Sequence, residues 1–174
     1  HGCLVGSEMC IRDSYKISCL LFIKDLKDRL LLLKRKKAPN LGKWSPPGGK
    51  LETSLGESPI ECGIREAKEE LGISLKNSDL NLFGYVSEKN YEGENHWMMF
   101  LIEVLLPLEI MPDDFEEGSF GVFERDQIDA LDIPQMDHQL IWPFYDKRNL
   151  GFWGIRADFS STQTKIKIEA SPLK

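Results

Sequence analysis

The sequence predicts an α/β fold, a mixed β-sheet sandwiched between α-helices. Apolar, β-forming runs recur along the chain, and a well-capped amphipathic helix stands among them. Strands and helices are mixed without the regular βαβ alternation that builds a purely parallel sheet. The 174 residues are 41% hydrophobic and 29% charged, which suits one packed domain rather than a disordered chain.

Taken in order, residues 15–23 read as a strand, residues 24–28 as a turn, and residues 29–34, with four consecutive leucines, as a buried strand. These two strands are expected to form a hairpin. Residues 38–49 hold three prolines and three glycines and read as a long loop. A helix follows over residues 59–71. Residues 80–87 and 97–105 are strands separated by a polar loop, 88–96. Residues 121–124 form a short strand, 126–131 and 137–147 are helices, and 151–157 and 165–168 are the last strands.

The first fourteen residues are set apart. The stretch Glu8-Met-Cys-Ile-Arg-Asp13 matches the in-frame translation of a transposon-end oligonucleotide used in sequencing libraries, so residues 1–14 are expected to be a non-native or disordered leader. Residues 15–174 are then the single domain, and Cys19 and Cys62 are its cysteines. They are expected to be reduced, as in a cytoplasmic protein, with Cys62 inert and without a redox partner. The net charge of −6 argues against a stable nucleic-acid complex through a broad basic surface. No apolar run reaches the roughly 20 residues of a membrane span. The oligomeric state is left open.

The helix carries the chemistry. Ser58 suits the N-cap, Pro59 the first helical position and Glu61 the capping box, while Gly72 suits the residue that stops it. Ile60, Ile64, Ala67 and Leu71 make one apolar stripe. Glu66, Glu69 and Glu70 fall together on the neighbouring face. Like charges at these spacings cost roughly 0.2–0.5 kcal/mol per pair. Two readings fit them: a solvated acidic face partnered by Arg65 and Lys68, or a carboxylate cluster for a hard divalent cation and substrate phosphates.

The loop before the helix favours the second reading. Gly48-Gly49-Lys50-Leu51-Glu52 leads through Glu57 to Arg65-Glu66-Ala67-Lys68-Glu69-Glu70-Leu71-Gly72-Ile73. This run resembles the Nudix box, whose glycine and glutamate precede Arg-Glu-apolar-x-Glu-Glu-x-Gly-apolar. The seven residues between Glu57 and Arg65 match the family pattern. The seven between Gly49 and Glu57 exceed the family's usual spacing by a two-residue insertion near residues 53–56.

The resemblance implies a Nudix fold and a Mg2+-dependent pyrophosphohydrolase; whether Mn2+ can replace Mg2+ is left open. It implies that Glu66, Glu69 and Glu70 bind the metal, that the Gly48 carbonyl adds a ligand, and that Glu57 and Arg65 form an ion pair bracing the loop. Residues 29–35 and Lys43-Trp44-Ser45-Pro46-Pro47-Gly48-Gly49 resemble the MutT-like branch of the family, which acts on nucleoside triphosphates and includes enzymes that remove oxidised guanine nucleotides such as 8-oxo-dGTP. In that branch a loop acid assists the metal or the attacking water; Glu117 matches it ahead of Glu116, and an ordinary acidic loop is the other reading. Asp137 occupies the place of a base contact, or it caps the helix that follows. Arg35, Trp44 and Ser45 are further candidates for substrate contacts, Arg35 because guanidinium suits phosphate. Trp44 either stacks near the base or covers the core, whereas Trp97 reads as core. His96 and His138 lack a partner at zinc-ligand spacing. Nucleoside diphosphate sugars, capped RNA ends, or nucleotide binding without catalysis are the competing functions, because fold does not determine substrate.

Overall fold

The structure is a computed structural model in which residues 15–93 and 95–172 are described. The expected leader, with Cys3 and Cys10, lies outside the described residues. The strands are β1 (Tyr15–Phe22), β2 (Leu30–Arg35), β3 (Trp44–Ser45), β4 (Leu80–Tyr91), β5 (Asn95–Val104), β6 (Gly118–Phe123), β7 (Trp153–Asp158) and β8 (Lys165–Ala170). The helices are α1 (Pro59–Leu71), α2 (Arg125–Ile128), α3 (Asp137–Leu140) and α4 (Trp142–Tyr145).

Among the described residues the strands form two sheets, one ordered β1-β5-β4-β7-β8 and one ordered β3-β2-β6. The larger sheet is mixed: β1 runs parallel to β5 and β4 parallel to β7, while β4 with β5 and β7 with β8 are antiparallel. The two-residue period of a strand divides the core into two layers. From β1, Cys19 and Leu21 pack with Cys62, Ala67 and Leu71 of α1, whereas Leu20 and Phe22 join Leu140, Trp142, Phe144 and Tyr145 of α3 and α4. Helical segments thus cover both faces, as expected. Helix α1 comes very close to the sheet at Gly63, where a Cβ would sit 3.2 Å from Leu21 and 3.3 Å from Ile102.

The expected hairpin of the first two strands forms only at its base, through Leu31 N–H donating to Ile23 O at 2.9 Å and a bridge between Lys24 and Leu30. Further along, residues 47–51 occupy that edge of β1. Cys19 N–H donates to Gly49 O (2.9 Å), Leu21 N–H to Pro47 O (2.8 Å) and Leu51 N–H to Ile17 O (3.0 Å). β2 therefore leaves for the second sheet and pairs with β3 and β6.

Two other expectations are corrected. Residues 88–96 are not a polar loop, because β4 continues to Tyr91 and β5 begins at Asn95. The helix expected over 137–147 is two short pieces with a break at Ile141. Pro143 has no N–H to continue the ladder and disfavours helical geometry just before it. The helix expected over 126–131 is the single turn α2.

Candidate active site

Helix α1 starts and stops as its sequence requires. Ser58 Oγ accepts from Glu61 N–H (3.2 Å), Glu61 Oε2 accepts from Ser58 N–H (2.8 Å), and Gly72 ends the helix at φ 68°. The local geometry thereby sets which faces Glu66, Glu69 and Glu70 occupy.

Arg65 ties the preceding loop to this helix. Its Nε and Nη2 donate to the two Glu57 oxygens (2.8 and 3.1 Å), its Nη1 donates to Glu66 Oε1 (2.7 Å) and Glu69 Oε2 (3.0 Å), and Nη2 also reaches Lys50 O (3.0 Å). Arg65 holds the Glu57 carboxyl below its ordinary pKa. The two extra loop residues are taken up in a 3-10 turn, Thr53–Leu55, closed by Gly56 at φ 69°. Glu57 still reaches back to Glu52 N–H at 2.8 Å, so the insertion leaves the Glu57–Arg65 pair intact.

The double glycine presses against both strand and helix. A Cβ at Gly48 would lie 2.2 Å from Cys19 O, and one at Gly49 would lie 2.0 Å from Glu66 Oε1. Glu66 is only 8% exposed. Burial raises its pKa, and Arg65 partly offsets the rise. Glu70 is raised further, to about 7, by burial and by the Glu66 charge, with the Gly48 N–H opposing. Its Oε2 is buried and has no hydrogen-bond partner among the described residues.

These groups open into a cavity of about 640 Å3. Gly48, Gly49, Arg65, Glu66, Glu69, Glu70, Glu117, Arg35, Ser45 and Asp137 all line it. Glu117 is exposed, and its charge adds to the raised pKa of both Glu66 and Glu70. Glu116 points away to Lys37 (2.8 Å). Arg35 is near enough to Glu70 to favour its ionised form, while its own Nε donates to Pro39 O at 2.8 Å. Glu57 stands behind Arg65, and Gly72 lies at the far end of the helix. Trp44 is not among the lining residues; it packs against Phe123 with centroids 4.8 Å apart. Trp97, read from sequence as core, is half-buried and lines the cavity instead.

Asp137 is the first residue of α3 and makes no side-chain capping bond, so the capping alternative fails. Its neighbour in charge is Glu88, a cavity residue that sequence reasoning missed. Glu88 lies on β4, is 6% exposed, and has neither a hydrogen-bond nor an ion-pair partner among the described residues. Burial pushes Glu88 to about 7; burial and Glu88 push Asp137 to about 8, with Lys43 opposing. The sequence signal was there: Val86 and Glu88 share a strand face, and Val86 is core.

A pH dependence follows. Both carboxyls have folded-state pKa values above their ordinary 4.5 and 3.8. Their stabilising contribution is complete below those ordinary values and is lost as pH rises through about 7 and 8. The metal-free protein is therefore expected to be less stable at pH 8.5 than at pH 5, by about a few kcal/mol in total, and to melt at a lower temperature. Glu88→Gln combined with Asp137→Asn should flatten this slope; an unchanged slope would refute the assignment.

Cys62 does have a thiol neighbour: its Sγ lies 3.4 Å from that of Cys19, and both residues are buried. His96 Nδ1 accepts from Asn90 N–H at 3.0 Å. Among the described residues no three His, Cys, Asp or Glu side chains converge to hold a metal ion as they stand; Arg65 draws Glu66 and Glu69 to itself. The donors nonetheless suit a hard divalent cation. They are all oxygen, and the buried, unpartnered Glu70 Oε2 is the kind of group such an ion would satisfy.

Comparison with known proteins gives the family. The model of the NUDIX domain matches residues 15–145, and the chain belongs to the Nudix family. A Bacillus subtilis protein named as the uncharacterized Nudix hydrolase YvcI is 39% identical over 74 residues, 42% of this chain and 44% of that one. An ADP-ribose pyrophosphatase of Methanocaldococcus jannaschii is 29% identical over 116 residues, 66% of this chain and 63% of that one. The chain thus spans less than two thirds of the length of these curated relatives. A crystal structure of the MutT protein from Bacillus halodurans superposes with a TM-score of 0.68 at 25% identity, covering 90% of this chain and 99% of that one.

Proposed function

We propose that this chain is a magnesium-dependent nucleoside triphosphate pyrophosphohydrolase, with oxidised guanine nucleotides such as 8-oxo-dGTP as its preferred substrates. The observation that carries the reading is one cavity of about 640 Å3 lined by two separate carboxyl neighbourhoods. Glu66, Glu69, Glu70 and Glu117 make the first, with Arg35; Glu88 and Asp137 make the second, beside Trp97 and Met99. A nucleotide needs both: oxygen donors and a cation for its phosphates, and a partly apolar, polar-tipped recess for its base. The volume lies within the roughly 300–1,000 Å3 of small-ligand sites.

Glu66, Glu69, Glu70, Glu117 and the Gly48 carbonyl would hold the metal. When bound, magnesium supplies Lewis-acid polarisation of the phosphate oxygens and of the attacking water. Arg35 steadies the polyphosphate by charge and hydrogen bonding. A water oxygen bonds to an internal phosphorus, its proton passes to the Glu70 carboxylate, and the bridging P–O bond breaks to release pyrophosphate and a nucleoside monophosphate. Ser45 lies on the cavity wall and donates to the substrate.

The M. jannaschii relative gives a second reading, hydrolysis of ADP-ribose by the same glutamates. Product analysis separates the two. The protein with magnesium is incubated in 18O-labelled water with 8-oxo-dGTP, the ordinary triphosphates, ADP-ribose and capped RNA. The expected result is pyrophosphate plus monophosphate, with the label in whichever product carries the attacked phosphorus, fastest from 8-oxo-dGTP and lost in Glu69→Gln. Faster turnover of ADP-ribose would favour the second reading. Turnover of nothing would leave nucleotide binding without catalysis.

A further inference from the structure

We infer that Cys19 and Cys62 form a redox modification site, a dithiol that a small peroxide closes to a disulfide between β1 and the helix that carries the glutamates. The two residues are far apart in the sequence, yet their sulfurs lie 3.4 Å apart, with the Cys19 S–H donating to Cys62 Sγ. Both are fully buried, and both are free thiols. A disulfide between a strand and a helix needs the two backbones unusually close. Gly63 supplies that approach: it follows Cys62, and a Cβ there would lie 3.2 Å from Leu21 and 3.3 Å from Ile102. Reaching bonding distance takes about 1.4 Å of closure, which small side-chain rotations and a slight shift of the helix can share.

Cys19 and Gly49 line the cavity of the glutamate site, which gives a peroxide its route to the pair. The Cys19 S–O bond forms as the O–O bond of hydrogen peroxide breaks, and one water leaves. The S–S bond then forms as that S–O bond breaks, and the Cys62 proton departs with the second water. Two thiols are oxidised and one peroxide is reduced. The consequence reaches the glutamates because Cys62 touches the site from behind. Its Sγ donates to Gly49 O at 3.6 Å and accepts from Arg65 Nη2 at 3.6 Å, and Glu66 stands one turn further along α1. Gly49 leaves no slack there, since a Cβ on it would fall 2.0 Å from Glu66 Oε1. Closing the disulfide removes the Cys62 S–H and draws its turn of helix toward β1, so Glu66 is displaced against the loop. This coupling rests on the hydrolase reading above; the modification site itself does not.

Peptide mapping tests the site. The protein is treated with hydrogen peroxide, blocked with N-ethylmaleimide in denaturant and digested with trypsin. Cys19 falls in the peptide 17–24, Cys62 in 51–65, and Cys3 and Cys10 together in 1–12. The expected result is a linked pair of 17–24 with 51–65, recovered from monomeric protein and released by dithiothreitol. Triphosphate hydrolysis should fall with the linkage by roughly ten- to hundred-fold, the effect of a small displacement of a catalytic group. It should return with dithiothreitol, which does not reverse methionine oxidation. Cys62→Ala and Cys19→Ala should each hydrolyse like the reduced wild type and keep their rate in peroxide. Thiols that both remain free to alkylate, or a sulfinic acid in place of the linked pair, overturn the site. A linked protein at full rate overturns the coupling to Glu66. A protein that hydrolyses nothing even when reduced counts against the hydrolase reading alone, and the linked pair still decides the site.

Discussion

Glu70→Gln is expected to cut triphosphate hydrolysis by roughly 10²- to 10⁴-fold while leaving the metal-free protein at least as stable as the wild type. The two halves of this result have one cause. Glu70 is partly withdrawn from water, repelled by Glu66, and left with a buried oxygen that nothing among the described residues satisfies. In the empty fold its charge is a burden, so replacing it with a neutral amide of the same shape removes a penalty. In the proposed reaction that charge would help hold the cation and take the proton from water. Steady-state kinetics and thermal melts on one preparation would check this. A variant that lost stability together with activity would mark Glu70 as a structural residue instead.

Arg65→Lys is the second large effect. Arg65 serves Glu57, Glu66, Glu69 and the Lys50 carbonyl from three nitrogens at 2.7–3.1 Å. A lysine ammonium is a point donor and cannot span the Glu57 fork and the helix glutamates together. The expected cost is about 2–3 kcal/mol of stability, in line with lost hydrogen bonds between charged groups. Hydrolysis should fall as well, because Glu66 loses the contact that orients it. Urea unfolding and kcat measured at saturating magnesium would test both. A variant with wild-type kcat would show that Arg65 braces the fold without positioning Glu66.

The contrast between what could and could not be read from sequence follows the range of the forces involved. The α1 capping box, its Gly72 stop and the Glu57–Arg65 pair depend on residues within a few turns of one another, and the sequence displays them directly. The hairpin of β1 and β2 failed because a distant segment, residues 47–51, competes for the same backbone donors and acceptors. Glu88 was overlooked because a charge in a polar run looks like a loop; only the pairing of β4 with β5 and β7 carries it inside. Trp97, read as core, was misplaced for a similar reason, since it gains its cavity position from its strand neighbours. The break at Ile141 was different. Pro143 is visible in the sequence, and its missing N–H and its ring interrupt the helix there.

The seating of residues 47–51 against β1 has one more consequence. An open sheet has two outer strands, and an unguarded one invites another chain to add itself there. At β8 the guard is charge, with Lys165 and Lys167 exposed on either side of Ile166. At β1 the guard is the loop that leads into α1, whose Gly49 and Pro47 carbonyls already accept from the strand's donors. One segment therefore shapes the glutamate site and covers the edge of β1. The insertion at residues 53–56 falls just past the last of these rungs, at Leu51, where added length disturbs neither task.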